Sequence, residues 1–289
     1  MFFQQLINGL MLGSSYALIA VGYSLIFGVM GLLHFAHGEV FMVGAFIALQ
    51  MVLLAHISLP IATLGAMTAT AILGIIIAAI AFLPIKKQYV AAPLIATIGL
   101  GIVMQNLAVK IFGADQVSFP ETIEIVNYKI GDVIINSLQI ITLCVTLVLM
   151  ILLSLYIKNT KMGKAMRASA ERPTTASLLG VNYKKVVLVT FTIASALAGV
   201  AGVLTGLVYS SISPFMSGPA TLKGLVVMLM GGLGNLVGAV ICGIFLGILE
   251  IFSVAYLSAS YRDSLTFVIL ILVLILRPEG LFGVRLHGR

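Results

Sequence analysis

The stretch KNTKMGKAMRASAERPTTASLLGVNYKK, Lys158 to Lys185, is a long polar and basic segment set into a sequence that is otherwise almost continuously apolar. It carries Lys158, Lys161, Lys164, Arg167, Arg172, Lys184 and Lys185 against the single acid Glu171, so +6 of the chain's formal +7 collects here. An excess of Lys and Arg in short loops between apolar runs marks the cytoplasmic side of a membrane protein. The segment is therefore the point from which orientation is counted in both directions.

Outward from it, 61% of the 289 residues are hydrophobic and 9% are charged, with a mean hydropathy of +1.20. A soluble domain carries about 25% charged residues, which excludes that class. At roughly 20 residues per span the chain has room for about eight to ten passes and no separate soluble domain. The expected fold is an all-α polytopic membrane protein of about eight helices, one transmembrane domain over 1–289 with a cytoplasmic loop at 158–185. The basic balance is topological, meeting membrane lipid rather than nucleic acid. Cys144 and Cys242 both lie inside apolar runs and read as small packing residues, not a disulfide. The N-terminus has no basic region and its apolar run is too long for a cleaved signal, so the first helix is expected to be retained.

The runs follow in order. Leu6 to Leu33 is uncharged, and its Gly9, Gly13 and Ala17 repeat every four residues on one face where another backbone can approach. The segment HFAHGE then brings His34, His37 and Glu39, the first Asp, Glu, Lys or Arg in the chain. Three readings stand: metal ligands, an interhelical turn with its polar groups tied to backbone, or a polar patch beside a translocation path, since ionisable residues at membrane depth are costly and functional. The spacing lacks the firmness of H-E-x-x-H, so no metal is expected. Val40 to Ala55 and Pro60 to Leu83 are the next spans, and Lys86 and Lys87 mark a cytoplasmic end, which places the N-terminus outside. Ala92 to Phe112 carries Gln105 and Asn106, whose amides either bond across helices or touch substrate. Gly113 to Asp132 has one base against four acids, suits the outer face, and reads as a short hairpin or lid.

Val133 to Ile157 returns to the basic segment. There Pro173 interrupts the helical pattern and Gly180 is placed to cap a second short helix. Lys161, Lys164, Arg167 and Glu171 share a face, with Arg167 and Glu171 spaced to pair. Ala165, Ala168, Ser169 and Ala170 are small enough for another protein to close over. Val186 to Tyr209 is a sixth span with a close-packing face at Ala198, Gly202 and Gly206, and Ser210 to Thr221 reads as an outside turn. Leu222 to Val254 must cross an even number of times, as two short passes hinged at GGLGN or as a broken, re-entrant pair. Gly231, Gly232, Gly234 and Asn235 are then candidates to line a path. No phosphate cradle is present, because the glycines lack the following Gly-Lys-Ser/Thr. Ala239, Gly243 and Gly247 form another packing face, and Glu250 reads as a snorkelling charge or a pathway residue. Ser264 to Leu276 ends at Arg277, inside.

GKAMRASAE with Gly180 nine residues on resembles the coupling loop of ABC-importer permeases, and the branched-chain amino acid permease family in particular. GSSYALIAVGYSLIFGVMG, FAHGE, MGGLGNLVGA and LILVLILRPEGLFG agree with that family in the same order. The resemblance implies a non-enzymatic subunit at the bacterial inner membrane, partnered by a second, similar permease as a heterodimer. Two ATPase subunits, which bind ATP and Mg, and a soluble binding protein complete the assembly; the permease itself needs no cofactor. Gly163, Lys164, Ala165, Arg167, Ala168, Ala170, Glu171 and Gly180 would then meet the ATPase. The family also holds permeases for amides and urea. A self-sufficient secondary transporter is the rival from another class, and it would need more intramembrane carboxylates than Glu39 and Glu250.

Overall fold

Helices dominate the computed structural model, which describes residues 1–85, 91–119, 126–130 and 133–283. In chain order the elements are α1 (Phe2–Met30), α2 (His37–Ala55), α3 (Leu59–Ile77, prolonged by a π turn to Phe82), α4 (Ala91–Phe112), β1 (Val117–Ser118), β2 (Asn127–Ile130), β3 (Val133–Asn136), α5 (Ser137–Asn159), α6 (Lys161–Glu171), α7 (Pro173–Leu178), α8 (Tyr183–Tyr209), β4 (Ser211–Ile212), α9 (Ser217–Gly231), α10 (Leu236–Tyr256) and α11 (Arg262–Leu276). Eight of the described helices are long and apolar enough to cross a membrane, α9 being the short exception among the apolar ones. The fold is the all-α polytopic bundle the composition predicts. Lys86, Lys87, Glu121, Glu124 and Asp132 fall outside the described residues.

Helices α1 and α8 are buried on nearly every side, whereas α4, α5 and α11 keep broad apolar faces at the periphery. A helix apolar all round belongs either in a core or against lipid, and both fates occur here. Lipid tails give apolar helices no hydrophobic reason to associate, so close backbone approach must supply the contact. The two glycine stripes at Gly9, Gly13, Ala17 and at Gly243, Gly247 turn out to be each other's partners. A Cβ on Gly13 would sit 2.6 Å from the Ile244 Cα, and one on Gly243 would sit 2.7 Å from the Ala17 Cα. On α8, Gly199 abuts Gly44 of α2 and Thr70 of α3, and Gly202 faces the Phe41 carbonyl.

The bundle has two distinct ends. At one, β2 and β3 pair antiparallel into the hairpin read from the sequence, with Tyr128 opposite Ile135, and β1 pairs with β4. Gln4 of α1 holds this hairpin by its amide: Nε2 donates to the Ile134 carbonyl at 2.9 Å and Oε1 accepts from the Ile134 N–H at 2.8 Å. Asn136 and Gln139 form a reciprocal capping box that starts α5 four residues later than the apolar run begins.

At the other, basic end, Thr160 accepts from the Gly163 N–H at 2.9 Å and starts α6. Pro173 opens α7, and Gly180 at φ +86° takes the left-handed conformation just past its end. Met166 packs with Val29 of α1 and Val186 of α8, seating α6 on the bundle.

The connection after α1 does not stay at that end. Gly31, at φ +67°, closes α1, and the chain then turns back into the bundle before α2 starts at His37. The His37 imidazole lies against Gly22, and the His34 ring lies 5.2 Å from that of Phe191. Gly22 and Phe191 are each eight residues from the basic ends of α1 and α8, which places both histidines about 12 Å into the bundle.

Of the two arrangements open for 222–254, the structure has two helices hinged at the glycines, with α9 already begun at Ser217 inside the expected turn. Gly232 and Gly234 have φ of +98° and +78°. The C-terminal segment covers this hinge: Leu281 N donates to the Met230 carbonyl at 2.8 Å, and Asn235 Nδ2 to the Phe282 carbonyl at 2.7 Å.

Gly13→Leu is expected to cost about 3 kcal/mol or more, because backbone rather than a movable side chain occupies the space. Gly99→Ala, where no atom lies within 4 Å, should be neutral or stabilising by up to about 1 kcal/mol. Thermal unfolding of the purified variants in detergent measures the contrast.

Candidate functional site

Two polar features stand inside the apolar bundle. The first is built where α2 and α9 begin. Gly38, one residue into α2, has no room for a Cβ because Thr221 and the Ser217 carbonyl of α9 lie against it. Two helix starts therefore meet inside the bundle, each presenting the positive end of its dipole. Glu39, in the first turn of α2, is the carboxylate placed to complement them. It packs on Gly101 of α4, whose missing side chain leaves the space: a Cβ there would be 3.2 Å from the carboxyl carbon. The Ser217 hydroxyl lies beside the Glu39 carboxyl group and receives a hydrogen bond from Gln105 Nε2 at 3.3 Å. Phe35 N donates to Thr97 Oγ1 at 3.2 Å, fixing the re-entrant segment to α4.

His34 and His37 complete this cluster, their ring centroids 5.8 Å apart and buried among Tyr23, Phe82 and Phe191. The π turn of α3 is what brings Phe82 over the His34 ring. All four imidazole nitrogens and the Glu39 Oε2 atom are buried without a hydrogen-bond partner. No group of three or more His, Cys, Asp or Glu side chains among the described residues is arranged to hold a metal ion.

The second feature lies toward the hairpin end. Lys223 of α9 donates to Glu250 Oε1 of α10 at 2.6 Å, and the Arg262 Nε donates to the same oxygen. Lys223 also reaches the Tyr16 hydroxyl at 3.1 Å and Asp263 at 3.3 Å, while Arg262 Nη2 donates to the Tyr209 hydroxyl at 3.3 Å. The Glu250 side chain is fully buried. Beside α9, Tyr16, Tyr209, Lys223 and Arg262 border a cavity of about 390 Å³. Its walls come from Leu12, Tyr16 and Ile19 of α1, Phe41 of α2, Thr205 and Tyr209 of α8, and the β4 turn.

Among the residues singled out by sequence, His34, His37, Glu39 and Gln105 come together at the helix starts. Asn106 does not join them: it is exposed and bonds the Ile102 carbonyl within its own helix. Gly231, Gly232, Gly234 and Asn235 line no cavity described here, being packed in the hinge at the basic end against Gly238, Gly28 and the C-terminal segment. On α6, Lys164, Arg167, Ala168, Ala170 and Glu171 are exposed, as is Gly180 beyond α7. Gly163 and Ser169 face the bundle and Ala165 is half-buried. Gly163 is a packing glycine, since a Cβ would strike the Ile157 backbone. Arg167 bonds the Lys158 carbonyl at 3.4 Å rather than pairing with Glu171.

Glu250 does not snorkel; it is the centre of an ion-pair network. Lys223 and Arg262 were not legible as its partners. The available signal was that Lys223 is the one Asp, Glu, Lys or Arg between Lys185 and Glu250, the same kind of isolation that draws the eye to Glu39.

The family model described as the branched-chain amino acid transport system permease component matches residues 5–274. The chain is 37% identical over 295 residues to the high-affinity branched-chain amino acid transport system permease protein LivH of Escherichia coli (strain K12), covering 98% of this chain and 96% of that one. It is equally similar, with the same coverage, to the permease protein BraD of Pseudomonas aeruginosa. A probable LivH of Methanocaldococcus jannaschii is 27% identical, covering 92% of this chain and 88% of that one. No solved structure is a significant match. A multi-pass helical bundle with broken helices at membrane depth, matched over nearly its full length to these proteins, belongs to the branched-chain amino acid transport permease family.

Proposed function

We propose that this chain is a membrane-spanning permease subunit of a binding-protein-dependent ABC importer that carries branched-chain, aliphatic amino acids across the bacterial inner membrane. It performs no bond chemistry of its own. What carries this reading is the meeting of the α2 and α9 starts around Glu39 inside an otherwise apolar bundle. Irregular backbone at membrane depth is tolerated where it lines a path, and interrupted helices turn their ends toward what is carried. The buried, unpartnered histidine nitrogens and Glu39 Oε2 suit a path better than a packing seam.

In this assembly a second homologous permease completes the path, as a heterodimer. Two cytoplasmic ATPase subunits bind ATP and Mg²⁺, and a soluble binding protein delivers the solute on the other side. The basic end is the cytoplasmic one, which puts the N-terminus and the hairpin outside and the C-terminus inside. Helices α6 and α7 form a small platform at the basic end, seated on the bundle by Met166, with Lys164, Arg167, Ala168, Ala170 and Glu171 exposed and with Leu178 and Leu179 87% and 81% exposed. Two large apolar side chains held in the open beside small ones make a docking surface for an ATPase groove. ATP-driven closure there biases two path conformations, which requires them to differ by only a few kcal/mol.

Three outcomes test this. Leucine uptake into proteoliposomes should require the ATPase subunits, ATP and the binding protein; uptake by this chain alone would overturn the proposal. Replacing exposed Leu178 and Leu179 by Asp should weaken ATPase association by about tenfold or more, equivalent to about 1.4 kcal/mol, while the detergent unfolding midpoint stays within a few degrees. With Cys144 replaced by Ser, a cysteine at Lys164 should react with an impermeant maleimide only from the cytoplasmic side, and one at Tyr128 only from the opposite side. Any other pattern overturns the orientation.

A further inference from the structure

We infer that the cavity beside α9 is a docking station for the carboxylate of the carried solute, with Lys223 and Arg262 as the groups that hold it. The inference rests on the permease reading and adds to it a site, a charge and a ligand chemistry.

Both cations border the cavity, at its α9 and α11 sides. Lys223 is largely buried and Arg262 partly so: their side chains are 13% and 32% exposed. A buried cation without compensation is costly; Glu250 supplies that compensation from the interior, and Asp263, 3.3 Å from Lys223 and 72% exposed, adds a second carboxylate on the solvent side. Glu250 acts through one oxygen, Oε1, which takes both cations, while Oε2 is buried without a partner. A purely structural lock would be expected to spread two cations over two carboxylate oxygens, because the four lone-pair sites are available. Instead Arg262 is held by Nε, so its fork is not spent on Glu250, and Nη2 turns to the Tyr209 hydroxyl at the cavity wall. A guanidinium offers five N–H donors. The fork geometry left over is the one that grips a carboxylate with two bonds.

The remaining wall fixes the kind of carboxylate. Leu12, Ile19, Phe41, Ile212 and Met216 are apolar, and Thr205 adds one buried hydroxyl without a partner. A small acid with an aliphatic side chain satisfies both halves, whereas urea or a simple amide brings no anion for the cations and no alkyl group for the wall. At about 390 Å³ the cavity is within the range of small-ligand pockets. Lys223 and Ser217 belong to the same helix, six residues and so about 9 Å apart along it, and Ser217 lies beside Glu39, so a carboxylate held here is close to the polar cluster at the helix starts.

The test uses the full complex with its partner subunits, with Cys144→Ser and a reporter cysteine introduced by Ser213→Cys at the cavity wall. The rate of reporter modification by a small thiosulfonate is measured with leucine, with 4-methylpentanoate, which keeps the carboxylate and alkyl chain, and with leucinamide, which lacks the carboxylate. Leucine and 4-methylpentanoate should each slow modification by about tenfold at about ten times their dissociation constants, as mass action sets. Leucinamide should leave the rate unchanged, and Arg262→Gln should abolish protection while Arg262→Lys retains part of it. Equal protection by leucinamide, or none by either carboxylate, overturns the site, and the ligand comparison decides the matter even where Arg262→Gln fails to assemble. ATP-driven leucine uptake by the reporter background is scored separately: uptake without carboxylate protection sinks this site and leaves the permease reading standing, and carboxylate protection without uptake does the reverse.

Discussion

The bundle depends on one constraint: helix α1 is met at backbone contact by α10 along one side and leaves a gap for a histidine on another. Gly9, Gly13 and Ala17 admit Ile248, Ile244 and Gly243 to van der Waals distance, and Gly28 admits Gly234. In lipid this contact cannot be driven by removing apolar surface from water, so its strength comes from the number of atoms brought together. The same logic sets α8 against α2 and α3. Because α10 is pinned to α1 over its whole length, the hinge that follows α9 is pinned too, and α9 has one place to lie. Its start then coincides with that of α2, and the polar cluster exists because the packing leaves it nowhere else to be.

The ion-pair network follows from that placement. Glu250 sits on the one α10 face turned toward α9, deep enough that its side chain has no solvent contact. Alone it would be untenable, and two cations from separate helices make it tolerable. Replacing a buried ion pair with apolar residues often stabilises a protein, so the network is not accounted for by stability alone. Lys223 ties the inner helix α9 to α10, Arg262 ties the start of α11 to the same carboxylate, and the tyrosines extend the set to α1 and α8.

Much of this was legible in the sequence and some was not, for identifiable reasons. Span number and the basic segment were legible because hydropathy and loop charge are local properties. Pro173 and Gly180 announced the two short helices correctly, since both act through their own backbone. The glycine stripes announced faces but not partners, because spacing records that a backbone approaches and not which one. Polar residues were found where they stood alone, as Glu39 did, but their neighbours came from α4 and α9, more than fifty residues away. Of the two readings of Glu250, snorkelling falls: a snorkelling charge and a paired one look alike until Lys223 and Arg262 are brought to it. The hinge glycines announced a turn but not its surroundings: left-handed conformations are needed equally by a broken helix in a path and by a turn covered by its own C-terminal segment, as here.

The seating of α6 carries a mechanical consequence. Met166 touches Val29 in the last full turn of α1, and Val29 is two residues from the left-handed Gly31 that sends the chain back into the bundle. From there to His37 the connection is six residues with one side chain to backbone tie, at Thr97. Between the platform and the polar cluster the chain thus runs through Val29 and the six residues of irregular backbone at 31–36. The covalent route from the α6 seat to the histidines is therefore short: Val29, the left-handed Gly31 and the turn that leads into α2.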